Sequence, residues 1–277
     1  MQQFNKVLIG IAFSPSLKAN LFEAIRFCNM FNSKLICVHV GKKSIEKEAQ
    51  LKQLFNQVQE YIIEPKIIWQ DGDPVDVILN SCKTHKVDLL IIGATQQEKL
   101  LRFYLGSIAR KLTRKACCSV LLLIKPSVKR IQCNHIVVNG LEDERTKKSI
   151  HTSFYVSKKL DCKKITIVEE INQNEIEVKV NDDKSLRKAT ILKERIKQRE
   201  NFRLRDILKD IDKGNISVKT QNIFGKRGYS IGHYAKVVRA DLLVMNAPKS
   251  AGILDRIFPH DLEYILSELP TDVLIVR

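Results

Sequence analysis

Three short β-rich runs recur in the same order along the chain, and this duplication is the feature that most limits what it can fold into. Lys6-Val7-Leu8-Ile9-Gly10 is matched by His135-Ile136-Val137-Val138-Asn139. Val87-Asp88-Leu89-Leu90-Ile91-Ile92-Gly93 is matched by Ala240-Asp241-Leu242-Leu243-Val244-Met245-Asn246, and Ser119–Ile124 by Asp272–Arg277. The later two pairs are more widely spaced than the first, so the second half carries extra residues, which fall in the charged stretch 172–213. The expected domains are therefore 1–127 and 131–277. The link between them, Lys125-Pro126-Ser127-Val128-Lys129-Arg130, is short and broken by proline.

Within the first half, strand and helix patterns alternate. Val7–Ile11, Lys34–Val40, Lys66–Gln70, Asp88–Gly93 and Ser119–Ile124 read as strands. Between them, Ser14-Pro15 reads as a cap followed by the first helical residue, with Leu21, Ala24, Ile25 and Cys28 continuing at helical spacing. Ser44–Tyr61 reads as a charged amphipathic helix, Asp73-Pro74 as the cap of a third helix and Ser107–Lys115 as a fourth. Alternation of this kind implies an α/β fold: a parallel sheet covered on both faces and, with right-handed crossovers, doubly wound. Applied twice, it predicts two tandem doubly wound five-stranded parallel-sheet domains, the second with an inserted charged segment.

Bulk properties narrow the function classes. No apolar run approaches the roughly 20 residues of a membrane span, and the start lacks the pattern of a secretory signal, so the expected location is cytoplasmic. The seven cysteines contain no CxxC pair and mostly lie in apolar stretches such as Ile36-Cys37-Val38, which reads as core packing. The formal charge of +16 raises nucleic acid as a partner, but the basic residues are spread among acids and aromatics make up only 6%. There is no phosphate loop of the G-x4-GK[ST] type, no HExxH and no G-x-S-x-G elbow, so no catalytic residues are assigned and the chain is read as a non-enzyme.

In such sheets ligands bind beyond the carboxyl ends of the strands, at the switch in strand order. There the fourth strand ends Ile91-Ile92-Gly93-Ala94-Thr95-Gln96, and Gly106-Ser107-Ile108 opens the following helix. A strand-tip glycine lets a phosphate approach the backbone, and a Gly-Ser step at a helix start offers N–H groups and the positive end of the dipole. Arg110 and Lys111 add charge nearby. The residues alone fit equally well with a turn glycine and a structural helix start.

The combination resembles the universal stress protein family, twice along the chain. The family's nucleotide-binding members carry an aspartate after the first strand, a Gly-x-Pro before the third helix and G-x2-G-x9-G-[ST] after the fourth strand. Gln70-Asp71-Gly72-Asp73-Pro74, Asp88–Gly93 and Gly106-Ser107 follow that order. The resemblance implies an adenine nucleotide alpha hydrolase-like fold and binding of ATP or another adenine nucleotide, with Mg2+ as its companion. Gly10, Ile11 and Val40 would line the adenine pocket, and Ile92, Gly93, Gly106, Ser107 and Ile108 would hold ribose and phosphates. Two positions of the site depart from the family: Ala12 stands where the aspartate belongs and Gln96 where the second glycine belongs.

The second half departs further. Leu141 takes the aspartate position, and Asn246, Lys249, Pro259 and His260 stand where Gly, Gly, Gly and Ser belong, which reads as a structural partner domain. By the same resemblance the last strands, Val120–Ile124 and Val273–Val276, mediate pairing, giving an intramolecular pseudo-dimer with homodimerisation as a further option. Leu186–Lys209 reads as a basic amphipathic helix, with Glu194, Glu200 and Asp206 diluting its charge. The expected function is a non-catalytic stress-response regulator. An interaction scaffold without nucleotide is the first alternative, and a nucleic-acid-associated protein using residues 186–209 the last.

Overall fold

In the computed structural model, which describes residues 3–58, 61, 64–96, 103–172, 182–226, 228–247 and 261–277, the chain forms two units. The first comprises Met1–Gln132 with Thr271–Arg277, and the second Cys133–Pro270.

Unit 1 runs β1 (Lys6–Ile11), α1 (Leu17–Phe31), β2 (Lys34–Val40), α2 (Ile45–Asn56), β3 (Lys66–Gln70), α3 (Pro74–Thr84) and β4 (Leu89–Gly93). A small hairpin of β5 (Thr95–Gln96) and β6 (Phe103–Tyr104) leads to α4 (Ser107–Lys115) and β7 (Ser119–Leu123). The strands are ordered β3-β2-β1-β4-β7 and all pair in parallel. Their uninterrupted apolar runs follow from burial on both faces: Val7, Leu8, Leu89, Leu90 and Leu122 are fully covered.

Helix starts follow capping chemistry. The Asp73 carboxylate accepts the N–H groups of Val75 at 2.9 Å and Asp76 at 3.1 Å, with Pro74 in the first turn. Asp73→Ala is expected to lower stability by about 1 kcal/mol, measurable as a shift in the urea midpoint at unchanged slope. The first helix begins later than Ser14-Pro15 predicts. Leu17 N–H donates to the Ser14 carbonyl, so Ser14-Pro15-Ser16 is spent on a turn, and Ser16 stands at the N-cap without a side-chain cap bond. The second helix ends at Asn56 rather than continuing to Tyr61.

Unit 2 runs β8 (Ile136–Asn139), α5 (Thr146–Leu160), β9 (Lys164–Asn172), α6 (Asp183–Lys209), β10 (Ser217–Gly225), α7 (Tyr229–Val237), β11 (Leu242–Asn246) and α8 (Asp261–Glu268). Its parallel strands are ordered β10-β9-β8-β11. The last strand, β12 (Asp272–Val276), expected from the sequence to close the second half, lies in unit 1 and pairs antiparallel with β7, Leu274 opposite Leu121. Asp272 fixes that register by accepting the Ile124 N–H at 2.7 Å.

The inserted segment contributes α6, 27 residues long, which starts three residues ahead of Leu186 because Asp182 and Ser185 form a reciprocal capping box. It packs through Ala189, Ile196, Leu204 and Leu208. Glu200 is not among its surface acids, being only 2% exposed on that same stripe.

Candidate functional site

The ladder between β1 and β4 closes at Ile9↔Ile91. Beyond it β1 stays paired with β2 to Ile11↔His39, and β4 stays paired with β7 to Gly93↔Leu123. The two central strands therefore splay at their carboxyl ends, at the switch in strand order where a ligand crevice is expected. Gly10, Ile11 and Ala12 stand on one side and Ile92 and Gly93 on the other. Gly10 and Ala12 are exposed, Ile92 and Gly93 half-buried, and Ile11 buried. Val40 ends β2 opposite Gln70.

The fourth helix, α4, begins with Gly106 at the N-cap, its backbone near φ −57°, and with no side chain capping the first turn. Ser107 and Ile108 are exposed there. Arg110 turns back instead of outward, its Nε donating to the Leu105 carbonyl at 3.1 Å. The backbone of Gln96 belongs to β5.

A residue that sequence patterning did not single out shapes this crevice. Asn20, on α1, lays its amide against Gly93, so closely that a Cβ at that glycine would lie 2.3 Å from Asn20 Oδ1. Asn20 Nδ2 donates to Ser16 Oγ at 3.2 Å, and Ser16 Oγ bonds Ser14 Oγ at 3.1 Å. Asn20 Oδ1 is shut off from solvent and meets no hydrogen-bond donor. A buried acceptor left in this condition is costly. No sequence signal reveals it, because the contact joins a helix position to a strand tip far along the chain.

A second cluster lies at the ends of β1, β2 and β3. His39 Nδ1 donates to the Ile11 carbonyl at 2.9 Å, which leaves Nε2 to accept from Lys47 Nζ at 3.1 Å. The imidazole meets Phe13 and Trp69 edge-on, with centroids 4.9 and 5.1 Å away, and Lys47 lies over the Phe13 ring. This packing fixes the turn after β1 on which Ala12 stands.

The corresponding place in unit 2 is filled by its own side chains. Asn246, the counterpart of Gly93, donates through Nδ2 to Thr146 Oγ1 at 3.0 Å and accepts from Ser149, the counterpart of Asn20. Arg145 spans Asp143 and the Ala247 carbonyl. From α6, Arg203 donates to the Gly140 carbonyl and to the Glu169 carboxylate, and its Nε to Glu200 at 2.8 Å. Counted from the matched pairs Val7↔Leu35 and Ile136↔Ile165, Glu170 takes the position of Val40. Its carboxylate accepts the Gly228 N–H at 2.7 Å and the Ile231 N–H at 3.1 Å at the start of α7. Lys249, Pro259 and His260 lie outside the described residues.

Among the described residues no three His, Cys, Asp or Glu side chains gather to hold a metal ion. No helix among them is long and apolar enough to cross a membrane.

Comparison with known proteins bears on the first unit most directly. Residues 3–123 match the family model described as the Universal stress protein family. The chain is 22% identical over 146 residues to Universal stress protein YxiE of Bacillus subtilis (strain 168), covering 43% of this chain and 99% of that protein. Two solved structures resemble nearly its full length. A functionally unknown protein, PA1789, from Pseudomonas aeruginosa PAO1 has a TM-score of 0.73 at 17% identity, covering 99% of this chain and 93% of that one. A putative universal stress protein from Pseudomonas aeruginosa UCBPP-PA14 has a TM-score of 0.72 at 17% identity, covering 99% and 94%. At such identities the structural likeness speaks for the fold alone.

Proposed function

We propose, from the match of residues 3–123 to the Universal stress protein family model, that the chain is a universal stress protein and a non-catalytic stress-response regulator whose first unit binds ATP or a related adenine nucleotide. The observation that carries this reading is Asn20 Oδ1, a shielded acceptor without a donor at the splayed ends of β1 and β4. A ribose hydroxyl or an exocyclic amine supplies the missing donor. The start of α4, uncapped by any side chain, suits the phosphates, since N–H groups and the helix dipole both favour an anion. Gly10, Ile11, Ala12 and Val40 line the base end of this reading, and Ile92, Gly93, Gln96, Gly106, Ser107 and Ile108 the ribose and phosphate end. Mg2+ is assigned no protein ligands and would enter only with the nucleotide.

The second unit serves as a structural partner in the same reading, its crevice being spanned by Asn246, Arg145 and Arg203. The two repeats then act as an intramolecular pair, a role supported by β12 of the second copy extending the sheet of unit 1.

Calorimetric titration with ATP and ADP tests the proposal. Heat with one site per chain is the expected result, and no heat at millimolar ligand retires the nucleotide and leaves a scaffold. Gly106→Asp places a carboxylate where phosphate would bind, and should weaken affinity by about 100-fold or more through like-charge opposition. Because an aspartate at an N-cap is favourable, its melting temperature should hold or rise. Unchanged affinity would move the ligand elsewhere.

A further inference from the structure

Cysteines that read in sequence as core packing are not equivalent. Cys28, Cys37, Cys82, Cys118 and Cys162 are buried, Cys117 is exposed and Cys133 is half-buried. Cys133 and Cys162 belong to unit 2 and stand at one level of its sheet. The parallel strands β8 and β9 pair at Ile136↔Ile165, and each cysteine lies three residues ahead of its strand's member of that pair. The two chain segments thus enter the sheet side by side, and the Cys133 thiol hydrogen-bonds the Cys162 sulfur.

Cys162 is held in place from several directions. It follows Asp161, which closes α5 in the left-handed conformation, and its N–H donates to the Ser157 carbonyl at 2.9 Å. Ser157 Oγ returns a bond to the Cys162 carbonyl at 2.6 Å, and the sulfur itself lies 3.5 Å from the Lys164 carbonyl oxygen. Only 1% of the residue is exposed. The Cys133 hydrogen bond, opposed by burial and helped by the Lys164 backbone, lowers the Cys162 thiol from its ordinary value. A buried, fixed sulfur behind a solvent-reachable one is an arrangement in which the outer sulfur is oxidised and the inner one resolves it.

We propose that Cys133 and Cys162 form a reversible, peroxide-oxidised disulfide that ties the entry of β8 to the α5–β9 turn. The Cys133 sulfur attacks the O–O bond of hydrogen peroxide, keeping one oxygen as a sulfenic acid while the other leaves as water. The Cys162 sulfur then attacks the Cys133 sulfur; the S–O bond breaks, and the oxygen departs as a second water carrying the Cys162 proton. Two electrons pass from the two sulfurs to the peroxide, and a dithiol returns them on reduction. Because the pair lies at the amino ends of the strands, this modification is separate from the nucleotide proposal and stands or falls without it.

The test treats the full chain with hydrogen peroxide and counts thiols after denaturation, with peptide mapping under non-reducing conditions. Two of the seven thiols should disappear, return with dithiothreitol, and map to a Cys133–Cys162 linked peptide. Cys162→Ser should give no linkage and should carry a dimedone adduct on Cys133; should that variant fail to fold, Cys133→Ser, altered at a half-exposed side chain, must abolish the two-thiol loss. Linkage of Cys82 to Cys118, chains joined through Cys117, or a pair still reduced after the other thiols have reacted would each overturn the proposal.

Discussion

Above about pH 8, where Glu169 is ionised, Arg203→Met should destabilise unit 2 by about 3–5 kcal/mol, the cost of leaving buried carboxylates without their cation. The Arg203 side chain is 21% exposed, while those of Glu169 and Glu200 are 4% and 2% exposed. The substitution keeps an unbranched aliphatic side chain but removes the bonds to Glu200, Glu169 and the Gly140 carbonyl at once. Arg199 remains on Glu200 at 2.8 Å but is largely exposed, so Glu169 suffers most. Urea unfolding followed by circular dichroism reads the loss. A midpoint within error of the parent would mean that the network is a solvated surface feature.

The same network gives stability a pH dependence of defined sign. Burial holds the Glu169 carboxyl up at about 8 against an ordinary 4.5, with Arg203 pulling the other way. A carboxyl raised on folding binds a proton in the folded state that the unfolded state has released. Stability from this group is therefore greatest at acidic pH and falls as pH rises from about 4.5 to about 8. Glu169→Gln should flatten that segment of the curve. The penalty of Arg203→Met should shrink as pH falls through about 8, where Glu169 takes up its proton and no longer needs a cation. A penalty that grows on acidification would contradict this assignment of charge.

What the sequence made legible divides along physical lines. Strands buried on both faces are continuous apolar runs, so Val7–Ile11 and Lys34–Val40 could be read directly, and Ser119–Ile124 to within a residue of its end. The third helix was legible because Asp73-Pro74 carries its own capping chemistry. Ser14-Pro15 misled for a related reason: the same residue types also build turns, and the choice depends on where the chain must turn back over β1. Glu200 looked like a surface acid among basic residues, since nothing local reports that α6 lays it against Arg203. The thiol pair and Asn20 were equally invisible, because both exist only through pairings between distant segments.

Gly93→Ala should be the sharpest single probe of the crevice in unit 1. Its Cβ would fall 2.3 Å from Asn20 Oδ1, 2.6 Å from Nδ2 and 2.7 Å from Cγ, so the whole amide must leave its place. Overpacking of this kind costs about 1–3 kcal/mol. Asn20→Ala alone should be neutral or stabilising, since it deletes a shielded acceptor that has no donor. The double variant should regain what Gly93→Ala lost, because the clash is then gone, and the coupling between the two sites should have the sign of relieved repulsion. Binding separates packing from recognition. If Asn20 Oδ1 receives a nucleotide donor, Asn20→Ala should weaken ATP by about tenfold, one hydrogen bond's worth, with the melting temperature unchanged or raised. Full ATP affinity in that variant would reduce the amide to a spacer over Gly93, and normal stability in Gly93→Ala would mean that Asn20 does not reach the strand tip at all.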